Sequence, residues 1–317
     1  MTRVAVLDDY LKLALSEADW SVLPNNVGVQ VFHQHLGTEE QVAAALADFD
    51  VLVLMRERTP VPASLIERLP ALKLIVTTGT RNLSIDMAAA RARGIDVCGT
   101  SMLPYPAFEH AWALILGLAK NLAAEDRSVH AGGWQSGPSV GLNGKTLGVL
   151  GLGKLGAQAA RVGTAFGMNV VAWSQNLTAQ RAAECGARLV DKNTLLAESD
   201  FITIHLVHSA RTHALIGRDE LARMRRGAFL INTSRGPIVD EAALIEALRE
   251  QRIAGAGLDV FDVEPLPAAH PLRALDDVLL TGHTGYSTRE AFALMYPQCV
   301  ECVAAWLTGA PVRVLNA

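Results

Sequence analysis

The chain has 317 residues, of which 50% are hydrophobic and 19% charged, and its formal net charge is -4. This length allows two domains with a core each, and the ordinary globular composition leaves no disordered tract. The acidic balance argues against nucleic acid or an anionic membrane as partner, the longest clean apolar run (Ala111 to Ala119) is about half of a membrane span, and Asp8 and Asp9 stand where a signal peptide keeps its apolar core, so a cytoplasmic protein is expected.

The first hundred residues alternate short apolar runs with helical patterns. Val4 to Leu7, Val29 to Phe32, Val51 to Met55, Leu74 to Thr77 and Asp96 to Cys98 read as strands, with helices at Glu39 to Ala47, Ala63 to Arg68 and Ile85 to Arg93 between them. Runs with so little polar alternation suit a parallel sheet buried on both faces, so residues 1–101 are expected to form a doubly wound α/β domain. The fourth run ends in Thr77-Thr-Gly-Thr-Arg-Asn82, at the strand edge where open α/β sheets bind ligands. A turn at Gly79, flanked by Thr78 and Thr80, is either a plain turn or an anion nest that aims backbone N–H groups at a carboxylate.

Two prolines, Pro104 and Pro106, suggest a hinge before one long apolar helix from Ala107 to about Val129. A loop, Gly132 to Pro138, then leads to Lys145-Thr-Leu-Gly-Val-Leu-Gly-Leu-Gly-Lys-Leu-Gly156. Gly151, Gly153 and Gly156 stand in GxGxxG spacing between an apolar run and a helical pattern (Leu155 to Phe166), the context that marks a dinucleotide site. Gly151 permits a tight turn, Gly153 lets a pyrophosphate approach the backbone, and Gly156 lets the helix lie close to its strand. Lys154 and Leu155 open the helix whose N-terminal N–H groups face the phosphates.

Further strands are expected at Asn169 to Trp173, Phe201 to Ile204, Ala228 to Ile231 and Ala254 to Leu258, with a helix at Glu241 to Glu250, so residues 102–285 read as a Rossmann domain. The last helix, Arg289 to Leu307, and the tail return to the first domain (1–101 and 286–317). Cys98, Cys185, Cys299 and Cys302 give no disulfide framework, and the CxxC of Cys299 and Cys302 lies within that helix and reads as packing, with no metal site.

Three segments follow strands of the second domain and carry Arg235, Glu264 and His283 near where a nicotinamide would lie. A guanidinium fork binds a carboxylate and polarises a keto oxygen. Histidine passes protons near neutral pH, and a carboxylate beside such a ring orients it and favours the imidazolium. Together the three point to hydride-transfer chemistry on a 2-oxo acid or its 2-hydroxy counterpart.

The order Gly-Leu-Gly-Lys-Leu-Gly, Asn-Thr-Ser-Arg-Gly, Leu-Asp-Val-Phe-Asp-Val-Glu-Pro and Gly-His-Thr-Gly resembles the D-isomer-specific 2-hydroxyacid dehydrogenases, which include phosphoglycerate, glycerate, lactate and glyoxylate-type enzymes. The resemblance implies a flavodoxin-like substrate domain and a Rossmann domain with the cleft between them. It implies Arg235 as substrate-binding arginine, Glu264 as orienting acid and His283 as acid/base, with Thr78, Gly79 and Thr80 on the substrate carboxylate. Asp259 is implied to hold the nicotinamide amide, with Asn232, Thr233 and His205 on the cofactor side, and a homodimer formed through the Rossmann domain. A nucleotide-sensing corepressor scaffold with little turnover is the alternative; it calls for a partner-binding extension, which the sequence does not display.

Three features depart from the family pattern. Ser174 stands where NAD-preferring members have an acid and Gln175 where NADP-preferring members often have arginine, so NAD is favoured only slightly over NADP, which Arg181 is placed to serve. Gly282 replaces the proline that precedes the histidine in most relatives, which loosens the expected hold on His283. The chain ends at Ala317, as in short forms without a regulatory domain, so feedback by serine is not expected. Arg56 is a candidate for the substrate tail, as is Arg58, through a phosphate or second carboxylate.

Overall fold

A computed structural model describes residues 1–317. The chain divides into two compact units, Met1–Leu103 with Ser287–Ala317, and Pro104–Tyr286. Both are α/β, and both sheets are wholly parallel.

The first unit contains β1 (Thr2–Val6), β2 (Val27–Val31), α1 (Glu39–Leu46), β3 (Val51–Leu54), α2 (Ala63–Glu67), β4 (Leu74–Thr77), α3 (Met87–Ala92) and β5 (Asp96–Gly99). Its sheet runs β2-β1-β3-β4-β5, the flavodoxin-like order. β3 and β4 are buried along their whole length, as unbroken apolar runs require.

The second unit begins with α4 (Pro106–Ala119) and α5 (Leu122–His130). The single helix expected from Ala107 to Val129 is therefore two. Asn121 adopts the left-handed conformation at φ 52°, which ends α4 and starts a new axis. The halves differ physically: α4 buries Ala111, Trp112, Leu114, Ile115, Gly117 and Ala119, whereas α5 buries none of its residues.

There follow β6 (Thr146–Leu150), α6 (Lys154–Ala165), β7 (Asn169–Trp173), α7 (Ala179–Glu184), β8 (Arg188–Leu189), α8 (Lys192–Glu198), β9 (Phe201–Ile204), α9 (Arg218–Arg223), β10 (Phe229–Asn232), α10 (Glu241–Arg249), β11 (Gly255–Leu258) and β12 (Val278–Leu280). The strand order is β12-β11-β10-β9-β6-β7-β8. It reverses at β6, and the glycine turn leaves the C-terminal end of that strand, at the switch point where open α/β sheets take their ligands. α11 (Arg289–Leu307) lies in the first unit against β4 and β5, and Cys98, Cys299 and Cys302 are free and fully buried there. No helix is long and apolar enough to cross a membrane.

Candidate active site

At the glycine turn, Gly151 has φ +96°, and its N–H bonds to Trp173 O at 2.8 Å. A Cβ there would lie 2.7 Å from His205 O, and one at Gly156 would collide with Gly151 O. At Gly153 a Cβ would meet nothing within 4 Å, and no side chain caps α6. Two glycines therefore close the turn and the third leaves the open approach a pyrophosphate needs, so these residues fit a dinucleotide. Lys154 and Leu155 form the first turn of α6. Ser174 is half-buried just past β7, Gln175 is exposed, and Arg181 pairs with Glu184 at 3.4 Å.

His205 backs this turn. Its N–H bonds to Leu150 O (2.8 Å), its Nε2 lies 3.0 Å from Thr203 Oγ1, and burial pushes its pKa down to about 4.

The other candidate groups come from three neighbouring strands. Register sets Asn232, Leu258 and Leu280 side by side, so the loops after β10, β11 and β12 leave the sheet along one line. Asn232, 1% exposed, folds the first loop by donating to Arg235 O (2.9 Å) and accepting from Ser234 N (3.0 Å). Thr233 is half-buried beside it, and the Arg235 guanidinium donates to Ser234 O at 2.7 Å. A Cβ on Gly236 would collide with the Phe261 carbonyl group, which shows how closely this loop meets the next.

In that next loop Glu264 Oε1 accepts from Phe261 N (2.9 Å), and its Oε2 lies 2.6 Å from His283 Nδ1. Both side chains are partly buried, at 26% and 17% exposure. His283 has φ +53°, a conformation that an L residue keeps only where its surroundings impose it. Those surroundings are Asp259: its carbonyl accepts from His283 N (2.8 Å), and its carboxylate accepts from Thr284 N (2.8 Å), Gly285 N (2.8 Å) and Thr281 Oγ1 (2.6 Å). Burial alone raises the Asp259 pKa, but bonds from His110, Thr281 and Thr284 bring it below the usual carboxylate range. The looseness expected from Gly282 is thus countered on its C-terminal side by one ionised carboxylate.

In the first unit the Thr78–Thr80 turn differs from a nest. Thr78 N donates to Leu54 O (3.0 Å) and Gly79 N to Thr100 Oγ1 (2.8 Å), so those two donors are spent inside the unit. Gly79, at φ +127°, is glycine for another reason: a Cβ there would strike the Arg56 guanidinium. Arg56 donates through Nη1 to Thr78 O (3.0 Å) and through its backbone N to Thr78 Oγ1 (2.8 Å), which lays its charge over the turn. Arg58 instead donates to Asp8 O (3.0 Å) and stacks 4.6 Å from the Tyr10 ring centroid.

Residues 112–285 match the model of the D-isomer specific 2-hydroxyacid dehydrogenase NAD binding domain. The chain belongs to this family. It is 38% identical over 267 residues to a glyoxylate reductase of Aeropyrum pernix, covering 81% of this chain and 80% of that one. It is 38% identical over 279 residues to a D-3-phosphoglycerate dehydrogenase of Archaeoglobus fulgidus, covering 87% of this chain but 53% of the relative. The chain thus spans about half the length of the phosphoglycerate dehydrogenases it matches. Among solved structures, a phosphoglycerate oxidoreductase of Vibrio cholerae superposes with a TM-score of 0.91 at 32% identity, covering 98% of this chain and 100% of that one. For D-lactate dehydrogenase of Escherichia coli the values are 0.83 and 26%, covering 99% and 100%. NAD is the cofactor of the matched domain.

Sequence reasoning overlooked His110 in α4, whose Nε2 lies 2.8 Å from Thr281 Oγ1 and 3.3 Å from Asp259 Oδ1. The available signal was a lone histidine at helical spacing from Leu114 and Leu118, on the face that packs against the sheet.

Proposed function

We propose that the protein is an oxidoreductase that interconverts small 2-oxo acids and D-2-hydroxy acids, with His283 as the acid–base group. The observation that carries this reading is the 2.6 Å contact between Glu264 Oε2 and His283 Nδ1. A carboxylate only accepts, so Nδ1 carries a proton toward Glu264, and Nε2 is left to exchange one with the substrate oxygen. When bound, the nicotinamide would supply the hydride for reduction as NADH and take it up in oxidation as NAD+. Arg235 binds the carboxylate of the acid and polarises the adjacent oxygen through its fork. Gly151, Gly153, Lys154, Leu155 and Gly156 hold the pyrophosphate, and Ser174 and Gln175 meet the adenosine ribose with neutral groups, which leaves NADP open as a second cofactor. His205, Asn232, Thr233 and Asp259 frame the nicotinamide side. Thr78, Gly79, Thr80 and Arg56 are assigned to the substrate, with the Arg56 guanidinium supplying the charge that the backbone of that turn does not. The protein is assigned to the cytoplasm and to a homodimer.

A panel of pyruvate, glyoxylate and hydroxypyruvate, followed by absorbance of reduced nicotinamide with NADH and with NADPH, tests the reading. Turnover of at least one acid to its D-2-hydroxy product is expected. Dinucleotide binding without turnover of any acid would favour a scaffold instead.

A further inference from the structure

We propose that His110 is a positioning residue for His283: it anchors Thr281 and Asp259, which in turn hold the loop that carries the acid–base ring. This rests on the reading of His283 given above.

The geometry begins with the packing of α4 on β11. A Cβ at Gly257 would lie 3.0 Å from Leu114 Cβ and 3.2 Å from Leu118 Cδ1, so helix and strand touch at that glycine. One helical turn before Leu114 is His110, and two residues on from Gly257, just past the end of β11, is Asp259; both steps advance about 6 Å, which brings the two side chains together. Gly285 seals the arrangement, since a Cβ there would come within 2.9 Å of Asp259 Oδ2 and 3.7 Å of His110 Cδ2.

Proton accounting then gives His110 its role. The Thr281 hydroxyl has one proton, and its 2.6 Å contact with the ionised Asp259 Oδ1 claims it. The 2.8 Å contact between His110 Nε2 and Thr281 Oγ1 therefore has the histidine as donor. His110 fixes the hydroxyl that fixes the carboxylate, and the carboxylate holds Thr284 and Gly285 on the far side of His283. Gly282 has nothing within 4 Å of the place of a Cβ, so side-chain packing at that position does not restrain the loop. Its order rests on this chain of bonds together with those of His283 to Asp259 O and Glu264 Oε2.

The test compares His110→Leu, His110→Gln, Thr281→Val and His283→Ala for kcat, KM of the oxo acid and NADH affinity. Loss of the donor in His110→Leu is expected to lower kcat by about 10–100-fold with KM changed less than about threefold. Glutamine, whose amide N–H reaches about as far as Nε2, is expected to restore kcat to within about fivefold of the parent. Thr281→Val removes the linking hydroxyl and provides the same test should His110→Leu not fold; its loss is expected to match, and the double variant to be no worse than either single one. A kcat within about threefold of the parent for both His110→Leu and Thr281→Val, or equal losses for leucine and glutamine, would overturn the proposal. An unimpaired His283→Ala would instead remove the acid–base reading itself.

Discussion

In the second unit Glu264, His283, Asp259 and His110 are each held by a partner distant in sequence. Glu264 meets His283 across 19 residues, Asp259 meets Gly285 across 26, and His110 meets Thr281 across 171. Arg235, Glu264 and His283 were legible as candidates because each sits in a motif after a strand; His110 was not, because its partner Thr281 lies just past β12, which only the folded sheet brings near. The Thr78–Thr80 turn was legible as a place but not as a donor set, since Thr100, which takes the Gly79 N–H, arrives from the next strand. His205 couples stability to pH. Its ring is held down at about 4 in the folded protein and titrates near 6.5 when unfolded, so the unfolded chain carries the extra proton between those values. Stability from this source is complete above pH 6.5 and lost on acidification toward pH 4, by at most about 3 kcal/mol. Urea midpoints at pH 7 and pH 5 are expected to fall further apart for the parent than for His205→Gln; equal spacing would show that the ring does not contribute.

Several buried strands and the last helix match the sequence reading to the residue, whereas an edge strand and a helix break do not. Leu74–Thr77, Asn169–Trp173, Phe201–Ile204 and Arg289–Leu307 match the sequence reading residue for residue. β8, with two residues at the sheet edge, buries too little to leave a pattern, and Asn121 breaks a helix without proline or glycine to announce it. The turn between β6 and α6 separates two kinds of glycine. Gly153→Ala meets no protein atom, so it is expected to leave the melting temperature unchanged while weakening NADH binding about tenfold or more. Gly156→Ala drives a methyl group into the Gly151 carbonyl, so it is expected to lower both melting temperature and affinity. Calorimetric melts beside NADH titrations check both, and equal effects of the two substitutions would contradict this division of labour.

The chain contains a five-stranded unit and a seven-stranded one, and the buried inner strands of both parallel sheets follow from apolar runs in the sequence. The assigned homodimer has a candidate surface in the second unit. α5 buries no residue, its Leu122 and Val129 are 56% and 51% exposed, and Trp134 beyond it is 79% exposed. The proposed homodimer would cover these exposed apolar groups. Sedimentation is expected to give a dimer of 33.9 kDa subunits, and Leu122→Asp with Trp134→Ser to give monomers; a parent that sediments as a monomer would remove the assignment. We propose that His283, oriented by Glu264, moves the proton that accompanies reduction of a 2-oxo acid. The most direct test is kcat of His283→Ala against the parent, with NADH and the best acid of the panel. A fall of about 10²–10⁴-fold with NADH affinity unchanged is expected, and an undiminished kcat would contradict it.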